Sequence, residues 1–222
     1  VDPRRIEFHG HHESHAAQAF LGSGFDAAAV LTVDAVGEWA TTTLSHASRG
    51  RGEEGGVIFE TLATTEFPHS LGLFYSAFTA YLGFMPMDGE CSVMALAAFG
   101  RPVYAESIRR LLPAKKSGEF RLDQRFFNFF EFYSVAWTKA MVDLLGPPRS
   151  ASSGLAFDCL GPVAATAHSA EEQRFADIAA SVQLVFEERI LALAFELKRR
   201  TGARDLCFAG GAAMNCVAGC RC

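Results

Sequence analysis

The chain has 222 residues, of which 50% are hydrophobic and 20% are charged, and its formal net charge is −5. This composition is typical of a globular protein, and the negative balance argues against nucleic acid as a partner. Polar residues interrupt every apolar run before 18 residues and the first ten residues lack the order of a signal peptide, so we expect a cytoplasmic protein with no membrane span.

The first third of the sequence predicts a short helix followed by three strands. The helix is expected from His12 to about Gly22, where alanines and Phe20 recur with helical spacing. The strands are expected at 27–34, 40–47 and 57–67. The turn "AVGEW" separates the first two, and a charged, glycine-rich loop at 48–56 separates the second from the third. Three consecutive strands with short connections predict an antiparallel meander.

The rest of the chain predicts mainly helices. Apolar spacing favours helices at 70–84, with Ser70 as a possible cap, at 89–99 and at 103–112. A phenylalanine-rich segment follows, and Pro147 and Pro148 then break the chain. A long helix is expected from about Ala170 to Thr201 with Gly202 as its stop signal. Residues 206–216, "LCFAGGAAMNC", predict a strand, a glycine turn and the start of a helix.

Six cysteines are scattered through the chain, and most have apolar neighbours in sequence. Their spacing matches neither a short-loop disulfide framework nor a zinc-binding pattern. We therefore predict reduced thiols packed in the core of a cytoplasmic protein.

Four histidines and a glutamate lie within "FHGHHESHAAQAF", residues 8–20. His11 and His15 are four residues apart, so on a helix they share one face and can bind one divalent metal with a third ligand from elsewhere. The alternative is a polar loop that leads into an ordinary helix. The zinc-protease motif is not present, because His12-Glu13-Ser14-His15 is one residue too short and His11 is followed by His12 instead of a glutamate.

Asp34 follows the first predicted strand, and a turn with Gly37 and Glu38 comes next. A carboxylate at the end of a strand points into a cleft in actin-like and sugar-kinase-like ATPases. The alternative is a hairpin with aspartate at a turn position, which this residue favours in any case.

The glycine turn near the end of the chain is the third candidate feature. Gly210 and Gly211 would allow the backbone to approach a nucleotide closely, and free amides at a helix start favour phosphate oxygens. Asn215 offers both a donor and an acceptor to a base or ribose. The alternative is a plain connection between a strand and a helix.

Six motifs in a fixed order resemble those of the O-carbamoyltransferase family, which includes the nodulation carbamoyltransferases and the enzymes of cephamycin and tobramycin synthesis. They are "HHESHAAQAF", "LTVDAVGEWATT", "FPHSLGLFYSAFTAYLGF", "GECSVMALAAFG", "DIAASVQ" and "CFAGGAAMNCVA". The resemblance extends over nearly all 222 residues.

The resemblance implies an α/β fold of the actin-like, ribonuclease-H-like type, with a mixed sheet and flanking helices. It implies carbamoyl transfer from carbamoyl adenylate to a hydroxyl of a small-molecule acceptor, as in antibiotic biosynthesis or nodulation. In such enzymes a separate carboxyl-terminal module makes the adenylate from ATP and carbamoyl phosphate. That module is not found in residues 1–222, which are expected to be a partial transfer domain, and another chain is the expected source of the module.

The resemblance also assigns site residues. By motif, His11, His15 and Asp34 fall on ligands of a divalent metal, typically iron, and Asp34, Gly210, Gly211 and Asn215 fall on the nucleotide-binding part. The metal can act as a Lewis acid on the carbamoyl group. Glu38, or a hydroxide on the metal, is the candidate base for the acceptor hydroxyl.

The chain departs from the family pattern at several positions. Ala35 stands where a glycine is usual after the aspartate, and "GECSVMALAAFG" differs from the usual motif at Cys91, Ser92, Ala95 and Ala98. The usual first strands and a downstream "DAG" aspartate are not found, and the chain starts with Val, so we expect a slice of a longer enzyme. The alternative functions are a catalytically inactive remnant, or nucleotide-binding module, and a zinc hydrolase that uses the histidines.

Overall fold

The computed structural model describes residues 3–50, 56–115, 118–130, 135–153, 155 and 169–222. The chain divides into two compact units, of which the first comprises Val1–Gly72, Lys116–Glu119 and Ile190–Cys222. The second comprises Leu73–Lys115 and Phe120–Arg189. All the candidate site residues belong to the first unit.

A four-stranded mixed sheet forms the first unit. Its strands are β1 (Ala27–Gly37), β2 (Ala40–Arg49), β3 (Val57–Glu66) and β4 (Leu206–Ala209), in the spatial order β3-β2-β1-β4. β1, β2 and β3 pair antiparallel, whereas β4 runs parallel to β1. The structure thus confirms the predicted meander and the mixed α/β sheet.

Helix α1 (His11–Ser23) covers one face of this sheet. Its residues His12, Ala16 and Phe20 are buried, and they are spaced four apart so that they lie on one side of the helix. Phe20 packs with Ala28, Val30, Ala47 and Cys207 in the core of the unit. This packing fixes the helix on the sheet and with it the direction in which the exposed face of the first turn points.

The predicted end of the first strand is wrong. β1 continues to Gly37, and the turn consists of Glu38 and Trp39 alone, because Gly37 pairs again with Ala40 after an irregular stretch that starts at Val33. Asp34 therefore lies within the strand instead of at its end. Irregularities of this kind change the direction of side chains and are common near functional sites.

Six further α-helices and a short 3-10 helix at Gly211–Met214 follow β3 in the described part of the chain. Three of the predicted helices are shorter than expected: α2 (Leu71–Tyr81), α3 (Glu90–Ala97) and α4 (Ala105–Leu111). The long helix α6 (Ala170–Thr201) matches its prediction. The sequence did not predict α5 (Lys139–Leu145), and α7 (Cys216–Gly219) is a single turn after the glycine turn. Within the part of the chain that the structure describes, no helix is both long and apolar enough to cross a bilayer.

The prediction that the cysteines are core thiols is wrong for most of them. Cys207 is buried, but the other described cysteines, Cys91, Cys216, Cys220 and Cys222, are exposed. Cys159 lies outside the described residues, as do part of the charged loop at 51–55 and part of the phenylalanine-rich segment.

An ion pair joins α4 and α6 within the second unit. Arg109 donates to both oxygens of Glu188, with nitrogen–oxygen distances of 2.6 and 3.0 Å. The hydrogen bonds from Arg109 lower the pKa of the Glu188 carboxyl despite its partial burial. Because the carboxylate is favoured in the folded state, the pair stabilises above the unfolded-state pKa, and this contribution is lost as the pH falls through the lowered folded-state pKa.

We expect Glu188→Gln to lower the free energy of unfolding at pH 7 by a few tenths to about 1 kcal/mol, the range for partly exposed pairs. The difference from the parent chain should shrink as the pH falls below about 4, where free glutamate becomes protonated. Urea unfolding at a series of pH values measures this difference in the free energy of unfolding. Glu106→Gln is the control, because Glu106 is far more exposed and contacts Arg109 at only one nitrogen, 3.3 Å away. A difference that does not depend on pH would contradict the prediction.

Candidate metal centre

The first two turns of α1 present two imidazoles on one face. His11 and His15 are one helical turn apart, and their ring centroids lie 4.7 Å from each other. His15 is partly buried, whereas His11 is exposed. The opposite side of the same turn is anchored in the core through Ala16, so the two rings are held above the sheet.

Asp34 of β1 completes the cluster. Its Oδ2 atom lies 2.9 Å from Nε2 of His11 and 2.9 Å from Nε2 of His15. The two Nε2 atoms are 3.1 Å apart. The structure thus brings together the three residues that the sequence identified as metal ligands, and of the described residues only these three form such a group.

Hydrogen bonds alone do not satisfy this triangle. If Oδ2 of Asp34 accepted from both rings, both Nε2 atoms would have to carry a proton, because a carboxylate is only an acceptor. Neither nitrogen could then accept from the other, although they are 3.1 Å apart. A cation shared by the lone pairs of all three atoms removes this conflict, so the arrangement fits a metal better than it fits a purely protonic network.

The spacing is compatible with a shared metal ion. Ligand atoms bonded to one transition-metal ion at about 2.0–2.2 Å lie roughly 3 to 3.5 Å apart. The separations between the three ligand atoms are 2.9, 2.9 and 3.1 Å. Two imidazoles and one carboxylate with further positions open is the donor set of non-haem Fe(II) sites. The residues present therefore fit the iron that the sequence motifs imply.

Several polar groups hold Asp34 in place. Burial by itself would raise the pKa of this carboxyl, but the hydrogen bond from His11 and the amide of Ala35 bring it below its ordinary value. The Ala35 amide donates to Oδ1 of Asp34 at 2.8 Å. Ser70 donates to the carbonyl of Ala35 at 2.6 Å and to that of Asp34 at 3.1 Å. An ionised carboxylate with a fixed direction is the form that a cation requires.

Two glycines allow the elements to come this close. A Cβ added at Gly37 would lie 2.3 Å from Cδ2 of His11, and one added at Gly72 would lie 2.6 Å from the backbone nitrogen of Ala35. Any other residue at either position would displace the ligand helix or the strand that carries Asp34. Both glycines were absent from the candidate residues of the sequence.

His12 is a further residue that the sequence analysis missed. Its Nδ1 atom contacts the hydroxyl of Thr43, and its Nε2 atom is buried without a hydrogen-bond partner among the described residues. Burial lowers its pKa. The four-residue spacing of His12, Ala16 and Phe20 would have placed His12 on the apolar side of α1, apart from the two ligand histidines.

The glycine turn after β4 lies beside the cluster. Gly210 has φ +90° and approaches so closely that a Cβ there would lie 2.2 Å from the carbonyl oxygen of Val33. A Cβ at Gly211 would lie 3.0 Å from Oδ1 of Asp34. The backbone of the predicted nucleotide segment is thus next to the carboxylate of the predicted metal site.

Two other predicted residues lie outside the cluster of ligand atoms. Glu38 is exposed at the tip of the β1–β2 hairpin, with φ +60°. Asn215 is buried, and its side-chain oxygen accepts from the amide of Ala218 at 3.0 Å, which caps α7. The catalytic role of Glu38 and the nucleotide-binding role of Asn215 therefore stay predictions.

Fold and site together define an α/β protein in which a candidate metal centre adjoins a glycine turn. The family model described as "Carbamoyltransferase N-terminus" matches residues 1–222. The chain therefore belongs to the carbamoyltransferase N-terminus family, which confirms the resemblance that its motifs indicated.

The relatives support the same family. The chain is 43% identical over 212 residues to "Uncharacterized protein sll1178" of Synechocystis sp., covering 95% of the chain and 31% of that protein. It is 30% identical over 222 residues to nodulation protein NolNO of Sinorhizobium fredii, covering 98% and 27%. It is 28% identical over 212 residues to nodulation protein NolO of Bradyrhizobium diazoefficiens, covering 93% and 32%. The chain thus spans about a third or less of the length of these relatives.

Proposed function

We propose that this chain is the transfer part of an O-carbamoyltransferase, which moves a carbamoyl group from carbamoyl adenylate to a hydroxyl of a natural-product or oligosaccharide acceptor. Membership of the family supports carbamoyl transfer. The single observation that carries the proposal is the convergence of His11, His15 and Asp34 beside the glycine turn. The identities of the carbamoyl donor and of the acceptor are part of the proposal.

The proposed fold is the actin-like, ribonuclease-H-like architecture. Its support is the order of elements in the first unit, where a three-stranded meander is followed by a strand parallel to β1. In this arrangement the turn after β4 and the irregular part of β1 meet at one edge. Ligands of open α/β sheets bind beyond the carboxyl ends of such strands.

The proposed cofactor is a divalent metal, with iron favoured by the donor set. His11, His15 and Asp34 would hold it, and the bound ion would supply Lewis-acid polarisation of the carbamoyl carbonyl. The residues around the ligands fix their directions, since the Ala35 amide donates to the Asp34 carboxylate, Ser70 donates to the backbone carbonyl of Asp34, and Gly37 packs against His11. Such fixed groups need no rearrangement when charge develops during the reaction.

The proposed donor site uses the backbone of Gly210 and Gly211. The absence of a side chain lets this turn lie against β1, and its backbone is available to phosphate and ribose oxygens of the adenylate. The adenylate would come from ATP and carbamoyl phosphate in a separate module, in another part of the protein or in another chain.

The proposed reaction transfers one group between two oxygens. The acceptor hydroxyl oxygen attacks the carbamoyl carbon, a new carbon–oxygen bond forms, and the bond from that carbon to the phosphate oxygen breaks. AMP leaves, and the hydroxyl proton passes to a base. Glu38 is the proposed base because it lies at the tip of the hairpin whose Gly37 contacts His11.

Transfer by the purified chain tests this function. The chain, loaded with Fe(II) without oxygen, is supplied with carbamoyl adenylate and a set of hydroxyl acceptors, and carbamate products are measured by mass spectrometry. We expect transfer, and we expect Glu38→Gln to slow it by about 10²-fold or more, as for loss of a general base. Glu60→Gln is the matched control, because Glu60 is an exposed glutamate of β3.

Two outcomes would reject transfer by this chain, and a third would reject only the role of Glu38. A chain that binds adenosine nucleotides but transfers nothing would support the alternative, an inactive nucleotide-binding module. A chain that neither binds nucleotides nor transfers carbamoyl would support the inactive remnant. Equal rates for Glu38→Gln and Glu60→Gln would remove Glu38 as the base.

A further inference from the structure

A cavity of about 200 Å³ lies on the face of the sheet opposite to α1, and its lining residues all belong to the first unit. Thr42 and Leu44 of β2 line it. Successive side chains of a strand point to opposite faces, and Thr43 contacts His12 of α1, so its two neighbours point away from α1. The candidate metal centre includes two residues of α1, so the cavity is separate from it.

The inner part of the cavity is buried and mainly apolar. Leu44 and Leu193 of α6 are 5% and 3% exposed, and Ala63 of β3 lies opposite Leu44 in the strand pairing. Thr42 is 1% exposed, and its hydroxyl oxygen has no hydrogen-bond partner among the described residues. Because buried polar groups are normally hydrogen-bonded, a molecule in the cavity is the expected partner of this hydroxyl.

The outer part of the cavity carries charges of both signs. Arg200 of α6 and Glu119 line the cavity and are exposed. Nε of Arg200 donates to Glu196 at 2.8 Å and Nη1 to the carbonyl of Leu62 at 3.4 Å, which holds the guanidinium in place and leaves Nη2 for a ligand. Glu196 also binds Arg199, so two guanidiniums share one carboxylate and retain one positive charge.

Gly118 brings Glu119 to the cavity. The backbone at Gly118 has φ +80°, in the left-handed region that favours glycine. A Cβ at this position would lie 3.0 Å from the carbonyl oxygen of Ala192 on α6. The close approach that glycine permits therefore holds the segment with Glu119 against the helix that supplies Leu193 and Arg200.

The volume of the cavity limits its occupant to a small molecule. An apolar protein cavity of about 150 Å³ binds benzene, which has six heavy atoms, so about 200 Å³ suits a ligand of about eight heavy atoms. Pockets for drug-sized ligands have about 300–1,000 Å³. An adenylate or an oligosaccharide is therefore too large to be enclosed here.

We propose that this cavity binds an α-amino acid with a short branched aliphatic side chain, such as valine, which has eight heavy atoms. The side chain packs against Leu44 and Leu193, the carboxylate accepts from Nη2 of Arg200, and the ammonium group donates to Glu119. An inorganic anion would leave the apolar part of the cavity unfilled, and a hydrocarbon would leave both charges without a ligand group. This inference does not depend on the proposed transfer function, because the cavity and the metal centre are separate.

Calorimetric titration with L-valine tests the site. The Fe(II)-loaded chain is titrated without oxygen, and the titration is repeated after a chelator has removed the metal. We expect saturable one-to-one binding with the same affinity in both cases. Isovalerate lacks the ammonium group and isobutylamine lacks the carboxylate, so each should bind at least about tenfold more weakly, as for the loss of a hydrogen bond to a charged group.

Three results of these titrations would overturn the proposal. The first is the absence of saturable binding of L-valine. The second is binding that disappears with the metal, which would place the amino acid at the metal centre. The third is isovalerate or isobutylamine binding as tightly as L-valine, which would show that the site does not recognise an amino acid.

Arg200→Gln and Arg199→Gln are a matched pair of variants. Each removes one guanidinium from Glu196, but Arg200 lines the cavity and Arg199 does not. We expect Arg200→Gln to weaken binding of L-valine at least about tenfold and Arg199→Gln to leave it unchanged. Ala63→Leu should abolish binding by filling the cavity, and circular dichroism checks the fold of each variant. Equal affinity of Arg200→Gln, Ala63→Leu and the parent chain would show that valine binds elsewhere.

Discussion

His15→Ala is expected to lower the affinity of the chain for Fe(II) by at least about 100-fold. Loss of a residue that only supports a ligand already costs 10- to 100-fold in metal affinity, so loss of a ligand should cost no less. Removing His15 also removes two of the three contacts within the cluster, since its Nε2 lies 2.9 Å from Oδ2 of Asp34 and 3.1 Å from Nε2 of His11. Calorimetric titration without oxygen measures the effect, and the absorption of bound Co(II) reports the geometry.

His9→Ala is the matched control for this experiment. His9 is two residues from His11, exposed, and outside the cluster, so its removal should leave metal binding unchanged. Asp34→Asn gives a second test that preserves shape while removing the charge, and it should weaken binding as strongly. Circular dichroism of the metal-free variants checks the fold. Equal Fe(II) affinity in the parent chain, His15→Ala and Asp34→Asn would refute the proposed centre.

Local rules predicted that His11 and His15 share one face, because a helix places residues four apart on the same side. The third ligand, Asp34, was assigned by the resemblance of the motifs to the family. The precise position of Asp34 was not predictable. The pairing of β1 and β2 is irregular between Val33 and Gly37, and such an irregularity depends on contacts from elsewhere, such as Ser70 and Gly72.

The errors in the fold also have physical causes. Helix α5 has only seven residues, too few for a clear apolar period, although the Lys139–Asp143 pair at 2.6 Å is a sequence-readable sign of a helix. Cys216 begins α7 and Cys220 is its C-cap residue; both are exposed, whereas Ala218 between them is buried. Residue type and apolar sequence neighbours predicted burial for both cysteines, but the orientation of one short helical turn is set by its packing.

Gly210→Ala is expected to destabilise the chain by at least about 2 kcal/mol and to weaken metal binding at the same time. Its φ of +90° lies in a region that other residues avoid, at a cost of about 1–3 kcal/mol. The added methyl would also lie 2.2 Å from the carbonyl oxygen of Val33. Overpacking against backbone adds about 1–3 kcal/mol, because the neighbour cannot rotate away. Urea unfolding of the metal-free chain measures the stability.

The loss of metal binding follows from the position of the clash. Val33 directly precedes Asp34, so a displacement of β1 by the new methyl would move the carboxylate away from the two imidazoles. Gly219→Ala is the control, because nothing lies within 4 Å of the added Cβ there, and we expect a change in stability of less than about 0.5 kcal/mol, as for an open surface position. If Gly210→Ala and Gly219→Ala had the same free energy of unfolding and the same Fe(II) affinity, the close approach of the glycine turn to Asp34 would have no role in building the centre.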